Sequence, residues 1–293
     1  MKAFEIIDLA KTYPEFKLGP LNLDLEPGTV LGYIGPNGSG KSTTLHCMVG
    51  LVKRDGGEIN IFGRPNNPNK PEWKFDIGYV GDVHVFYENW TAAKNLKFLS
   101  QFYPKWSDSL AEGYAKRFDI PLEKKARELS SGNRVKLSLI SALSHSPRLL
   151  LLDEPTAGLD PVVRTEVLDT LFEILEDGER SIFYSTHILS DIGRLADNLA
   201  FIHEGKIMRI TAKDDLTENW RKISFRLDHT NGQIDAVVNR QSEGKDHRVI
   251  SSDFKSTISQ LKNLGAENIL ENRMTIDEIA VEILKEVKNV NAS

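Results

Sequence analysis

Residues 35–42 read Gly35-Pro36-Asn37-Gly38-Ser39-Gly40-Lys41-Ser42, with Thr43 next. The pattern is G-x-x-x-x-G-K-[ST]. An apolar run, Thr29–Ile34, precedes it, and a helical stretch from Lys41 to Val49 follows it. Strand, glycine-rich loop and helix in that order form a cradle for phosphates. Glycines let the main chain wrap closely, so backbone N–H groups turn inward, and the helix N-terminus adds partial positive charge. Lys41 is placed to reach the β- and γ-phosphates of a nucleotide, and Ser42 to ligate Mg²⁺. A merely flexible glycine loop would need neither the lysine nor the strand–helix frame.

Outward from this loop, apolar runs alternate with helical stripes. Leu21, Leu23 and Leu25 alternate with polar residues, as in a strand with one buried face. Gly56-Gly57 reads as a turn, Glu58–Phe62 and Ile77–Val80 as strands, and residues 63–76, rich in proline, asparagine and lysine, as a surface loop. Over about 88–146 the period becomes helical: Ala92, Leu96, Leu99 and Tyr103, then Leu110, Tyr114 and Phe118. Leu149–Leu152, between Pro147 and Pro155, is a continuous aliphatic run, expected for a parallel strand buried on both faces. Val163, Val167, Leu171 and Ile174 form the stripe of the next helix. Ser181–Ser185 reads as a strand and Ile188–Ala196 as a helix, and Leu199–Ile202 with Lys206–Ile210 read as a hairpin.

The pattern changes again near 211–220. Residues 222–227 and 247–251 read as strands, and Phe254, Ile258 and Leu261 share a helix face. Thr275 and Glu278 form a capping box before a stripe of Ile276, Ile279, Ala280, Ile283, Leu284 and Val287. The expected organisation is an α/β domain over 1–215 with a helical subdomain at about 88–146, and a small α+β appendage over 216–293.

Composition narrows the function classes. Acidic residues number 42 and basic residues 37, a net charge of −5, which disfavours a general nucleic-acid binder. Cys47 is the one cysteine, so there is no internal disulfide framework, and its place on the helix after the loop fits a small core residue. No apolar run approaches the roughly 20 residues that span a bilayer, and the first residues carry no signal-peptide pattern. The expectation is a soluble cytoplasmic protein.

A second motif closes the aliphatic strand: Leu149-Leu150-Leu151-Leu152-Asp153-Glu154. Two carboxylates at the end of a buried strand are costly without partners or work. Asp153 is placed to hold Mg²⁺, and Glu154 to polarise an attacking water. Between the two motifs lies Leu129-Ser130-Ser131-Gly132-Asn133. After Glu154 comes Ala157-Gly158-Leu159-Asp160, and Ser185-Thr186-His187 closes a later strand. In this order the motifs resemble those of ATP-binding cassette (ABC) ATPases over about residues 3–212. The resemblance implies a P-loop NTPase fold that binds ATP and Mg²⁺.

It also implies a mechanism. Two cassettes would meet head to tail around two ATP molecules. Ser130 and Gly132 of one would contact the γ-phosphate held by Lys41 of the other. His187 would contact the same phosphate and fix the geometry around Glu154, Asp160 would link the two sites, and Tyr13 would stack on adenine. The other histidines, His46 and His84 among them, receive no role.

Three positions depart from the family pattern. Gly81-Asp82 stands where glutamine is usual, so Asp82 is expected as a Mg²⁺ ligand that adds negative charge near the γ-phosphate. Ser131 replaces a usual glycine and Asn133 a usual glutamine, while Ser130 and Gly132 remain.

The family further implies that a membrane subunit docks against residues 83–106. The aromatic segment Phe102-Tyr103-Pro104-Lys105-Trp106, with the C-terminal appendage, resembles ATPase subunits of bacterial exporters, above all the branch exporting antimicrobial or amphipathic peptides, including phenol-soluble modulins. The implied partners are an integral membrane transporter subunit and a second ABC ATPase, identical or paralogous, with the chain peripheral on the inner face of the membrane. One rival is a soluble ABC ATPase acting on ribosomes or DNA. Single-cassette architecture, the lack of a sustained heptad run and the acidic balance disfavour it. Another is a small-molecule P-loop kinase, which has no use for a signature acting in trans.

Overall fold

The computed structural model describes residues 1–227 and 234–290, with side chains through residue 285. Contacts divide the chain into two units, Met1–Arg209 and Ile210–Ser293.

In the first unit, β1 (Phe4–Tyr13) and β2 (Phe16–Leu25) form an antiparallel hairpin. Then come β3 (Val30–Ile34), α1 (Lys41–Met48), β4 (Gly56–Ile61), β5 (Arg64–Pro65) and β6 (Ile77–Val80). Three helices follow, α2 (Ala92–Leu99), α3 (Asp108–Arg117) and α4 (Ser131–Leu143). The remainder is β7 (Leu149–Asp153), α5 (Pro161–Glu173), β8 (Ser181–Thr186), α6 (Leu189–Leu195), β9 (Asn198–His203) and β10 (Lys206–Ala212), the last crossing the boundary between the units.

Two sheets result. The antiparallel one has the order β2-β1-β4-β5; the six-stranded one has the order β10-β9-β3-β8-β7-β6. In the latter, β3, β6, β7, β8 and β9 run parallel. Every residue of β3, β7 and β8 is buried, which is why these strands read as unbroken apolar runs. The rings of Phe4 and Tyr33 each lie 5.1 Å from Phe183, so one core joins the antiparallel sheet to the parallel one. Parallel alignment also places the segments after β3, β6, β7 and β8 along one edge, where ligands of open α/β sheets bind.

Several local differences from the sequence expectation have plain causes. Phe4–Tyr13 is a strand that alternation does not reveal. Two register shifts interrupt its pairing with β2, and Asp8 takes a left-handed φ of 49°, so its buried positions fall out of period. Gly56 and Gly57 belong to β4 rather than to a turn; without side chains they carry no alternation signal. The surface loop expected at 63–76 contains β5 and a 3₁₀ turn, Pro71–Asp76, that buries Trp73. Tyr103 lies off the helix, stacked on His145 with ring centroids 4.0 Å apart.

In the second unit, α7 (Lys213–Asn219) precedes β11 (Arg221–Arg226), β12 (Val237–Glu243), β13 (Asp246–Ser251), α8 (Phe254–Asn263), β14 (Glu267–Arg273) and α9 (Ile276–Val290). The strands form an antiparallel sheet of order β12-β13-β11-β14. Ile223, Phe225, Val249 and Leu261 lie in its core. At the start of α9, Glu278 N–H donates to Thr275 Oγ1 (3.3 Å) and Thr275 N–H to Glu278 Oε2 (3.1 Å), completing the capping box. Ile279, Ala280 and Ile283 are buried along the helix, while the side chain of Val287 lies outside the described residues. Strands β12 and β14 are mostly exposed, so neither carries the apolar pattern that marks a strand in sequence. Among the described residues, no helix is long and apolar enough to cross a membrane.

Candidate nucleotide site

The loop from Gly35 to Gly40 leaves β3 and ends at the N-terminus of α1. Gly38 has φ +78°, and a Cβ built there would meet nothing within 4 Å, so this stretch of backbone faces open space. At Gly35 the situation is opposite: a Cβ would lie 2.4 Å from Ile202 O and 2.6 Å from Ser39 Oγ. The loop is thus tight against the protein at Gly35 and open at Gly38, which is the shape of a phosphate cradle. Ser39 Oγ is buried and has no hydrogen-bond partner among the described residues.

Lys41 is buried in the cradle. Its ammonium donates to Gly35 O at 2.8 Å and Pro36 O at 3.2 Å, and it lies 3.3 Å from Glu154 Oε1. Thr44 Oγ1 donates to Gly40 O at 2.9 Å, pinning the first turn of α1. Asn37 and Pro36 lie in the same loop, and Ser42 and Thr43 in the first turn of the helix.

Asp153 and Glu154 leave the end of β7. Asp153 is fully buried; Ser185 Oγ donates to its Oδ1 at 2.9 Å, while Oδ2 has no hydrogen-bond partner among the described residues. Burial pushes the Asp153 pKa up, and the neighbouring hydroxyls of Ser42 and Ser185 pull it down; the charge of Asp82 raises it and that of His46 lowers it. Glu154 has a left-handed backbone, φ 50°, a strained conformation for a residue with a side chain. Its Oε2 accepts from Thr186 Oγ1 (3.2 Å), His187 N–H (3.3 Å) and His187 Nδ1 (2.8 Å). With Nδ1 donating to the carboxylate, Nε2 is on the free side of the ring. One carboxylate therefore joins the loop lysine to the segment after β8.

Asp82 follows β6 and Asp153 ends β7, and Val80 pairs with Leu152 in register, so the two carboxylates stand side by side. His46 joins them: donor atoms of His46, Asp82 and Asp153 all lie within 4.8 Å of one another. Motif reading misses His46. The available signal is its spacing of four residues from Ser42 on α1, which puts both on one helix face.

Tyr13 is 38% exposed at the tip of the β1–β2 hairpin, directly opposite Phe16. Opposed residues share a face, and the Phe16 ring reaches Gly40, where a Cβ would meet it at 3.0 Å. Tyr13 thus stands on the face that packs at the foot of the cradle.

Ser130, Gly132 and Asp160 form a second cluster. Ser130 caps α4, its Oγ accepting from Asn133 N–H at 3.2 Å. Asp160 caps α5, accepting from Val162 N–H (3.0 Å) and Val163 N–H (3.1 Å). Gly132 meets Val163, where a Cβ would lie 3.3 Å from Val163 Cγ1, so the N-termini of α4 and α5 are neighbours. Asn133 contributes its backbone to the cap, so the shorter side chain leaves that bond intact.

Sequence reading also misses a buried network behind the site. Asp191 accepts from Thr156 Oγ1, Tyr184 Oη (3.2 Å) and Arg164. It ties the turn after Glu154 to α5 and α6.

A family model for the ABC transporter matches residues 18–157. The chain is 32% identical over 280 residues to the bacitracin transport ATP-binding protein BcrA of Bacillus licheniformis, covering 94% of this chain and 90% of that protein. The chain belongs to the ABC transporter family. It is an ABC ATPase, the ATP-binding subunit of a transporter whose partners include a membrane subunit. This cassette is also 33% identical over 211 residues to the ABC transporter ATP-binding protein YtrB of Bacillus subtilis, covering 72% of each chain. Among solved structures, an ATP-binding subunit of an ABC transporter superposes with a TM-score of 0.67 at 27% identity, covering 74% of this chain and 92% of the other. A dimeric cassette in a post-hydrolysis state shares the fold at 23% identity, with a TM-score of 0.65, 71% of this chain and 98% of that one being covered.

Proposed function

We propose that this cassette powers the export of a peptide or drug-like compound through a separate membrane subunit, working from the cytoplasmic face. The observation that carries the chemistry is the convergence of Lys41, Glu154 and His187 at the mouth of the cradle. When ATP enters, Lys41 exchanges its loop carbonyls for the β- and γ-phosphates, while the N–H groups of residues 37–43 and Ser39 Oγ meet phosphate oxygens. Tyr13 stacks on adenine. Ser42, Asp82 and Asp153 would supply oxygen donors for Mg²⁺, which when bound would neutralise phosphate charge; Asp153 Oδ2, without a hydrogen-bond partner among the described residues, fits a cation there. Glu154, freed from Lys41, accepts a proton from the attacking water. His187 holds Glu154 through Nδ1 and meets the γ-phosphate with Nε2.

Ser130, Gly132 and Asp160 form a cluster of their own at two helix N-termini, suited to an anion presented by a second chain. We assign them to the γ-phosphate and cradle of a second copy arranged head to tail, with Ser131 and Asn133 completing its signature. The functional division is a cassette over 1–215, its helical part at about 88–146, and a C-terminal domain over 216–293. The membrane subunit docks on residues 83–106, where Val83, Val85, Tyr87 and Phe102 expose apolar surface.

Export is supported by the name of a relative: a fluoroquinolones export ATP-binding protein of Mycobacterium tuberculosis is 27% identical over 262 residues, covering 87% of this chain and 83% of that protein. The test is deletion in the host, with complementation by wild type or Glu154→Gln. Sensitivity to membrane-active peptides should rise on deletion and be reversed by wild type alone. Unchanged sensitivity across peptides and drugs would contradict the export reading.

A further inference from the structure

We propose that His46, Asp82 and Asp153 bind a divalent transition-metal ion in the nucleotide-free chain, through one imidazole nitrogen and two carboxylate oxygens. The inference deepens the nucleotide-site reading, on which it rests for the role of Asp153.

Geometry comes first. The three donor atoms lie within 4.8 Å of one another. Donors about 2.1 Å from one ion are roughly 3–4 Å apart, so closure needs movements of about 1 Å. Asp153 is fixed by burial and by Ser185, whereas Asp82 is exposed and His46 half-buried, so these two have room to close. The framework is rigid: Asp82 and Asp153 follow paired parallel strands, and His46 projects from α1 beside them.

A second observation is independent of that spacing. Asp153 is fully buried, and its Oδ2 has no hydrogen-bond partner among the described residues. The ammonium of Lys41 is directed at Gly35 O, Pro36 O and Glu154. A buried carboxylate with one oxygen outside any hydrogen bond, in a group with a second carboxylate and an imidazole, is suited to a cation.

The imidazole sets the class of ion. Mg²⁺ prefers oxygen ligands and water, whereas Mn²⁺, Co²⁺ and Zn²⁺ accept nitrogen and carboxylate together. His46 therefore biases a pocket that carboxylates alone would leave to Mg²⁺.

The experiment adds Mn²⁺ to the nucleotide-free full-length chain in excess Mg²⁺ and reads bound Mn²⁺ by electron paramagnetic resonance, with nitrogen hyperfine coupling as the signature of imidazole. One Mn²⁺ per chain should remain bound and show that coupling. His46→Ala should abolish the coupling, and both His46→Ala and Asp82→Asn should weaken binding by at least about tenfold. Displacement of Mn²⁺ by the Mg²⁺, or bound Mn²⁺ without nitrogen coupling, would overturn the proposal using the wild-type chain alone, whatever the variants' folding. Mg²⁺–ATP binding by wild type is measured in parallel. ATP binding without Mn²⁺ binding defeats the metal site and spares the nucleotide reading; nitrogen-coupled Mn²⁺ without ATP binding does the reverse.

Discussion

Lys41 Nζ lies 3.3 Å from Glu154 Oε1, with the two side chains only 7% and 13% exposed. The proposed phosphate-binding cation and the proposed base thus hold one another. On the proposed mechanism, ATP takes the lysine away from the carboxylate, which frees Glu154 as the phosphates arrive. Binding of substrate and release of the base are then one event.

Replacing Lys41 tests that coupling. Lys41→Ala removes a buried cation and leaves Glu154 beside the cradle with its histidine and threonine partners alone. ATP affinity, measured by calorimetry, should fall by at least about tenfold, the scale of losing one charge-assisted contact worth about 1.5–3 kcal/mol. An unchanged affinity would remove Lys41 from the site.

Two glycines of the loop should behave differently. Gly38→Ala adds a methyl group into open space at a left-handed φ, costing about 1 kcal/mol of strain while obstructing the phosphates. ATP binding should drop sharply with a small fall in melting temperature. Gly35→Ala drives a methyl group into Ile202 O, so binding and melting temperature should fall together. Equal loss of stability in both variants would contradict the cradle geometry.

Asp191 should prove structural rather than chemical. It is 1% exposed and is the shared acceptor of Thr156, Tyr184 and Arg164. Asp191→Ala leaves a guanidinium and two hydroxyls without their acceptor, at a cost of about 3 kcal/mol in urea unfolding. A loss under about 0.5 kcal/mol would show the network to be dispensable.

One buried histidine and one half-buried histidine give a pH dependence. Burial pushes the pKa of His145 below its ordinary 6.5, against the bond from its ring to Ile77 O; burial and the charge of Arg134 push His84 down as well. The native state keeps both rings neutral at pH values where the unfolded chain takes up protons. Their stability contribution is therefore complete above pH 6.5 and is lost as pH falls from there toward the lowered native values. Unfolding free energy should decline over that window, and His84→Gln with His145→Gln should flatten the decline. A wild-type profile that rises on acidification would contradict the assignment.

How much was legible in the sequence varies along the chain. The loop, the carboxylate pair and His187 were readable because each sits at the end of a buried parallel strand, where an apolar run stops abruptly at polar residues. Their convergence on Glu154 Oε2 and Lys41 was not readable, since it depends on the strand order β3-β8-β7. His46 was invisible as a partner of Asp82 for the same reason: two adjacent strands and a helix bring together residues 46, 82 and 153. β1 was hidden by its bulges, and β12 and β14 by their exposed residues, whereas the capping box of α9 is local and could be read directly.

The most direct test of the sandwich is the solution mass and turnover of Glu154→Gln with Mg²⁺–ATP. Without its base, the chain should bind ATP, hydrolyse it at least about a hundredfold more slowly than wild type, and double its mass as two copies close head to tail. Turnover equal to wild type would remove Glu154 as the base. A monomer with ATP bound would contradict the homodimer and assign the second signature to a different cassette.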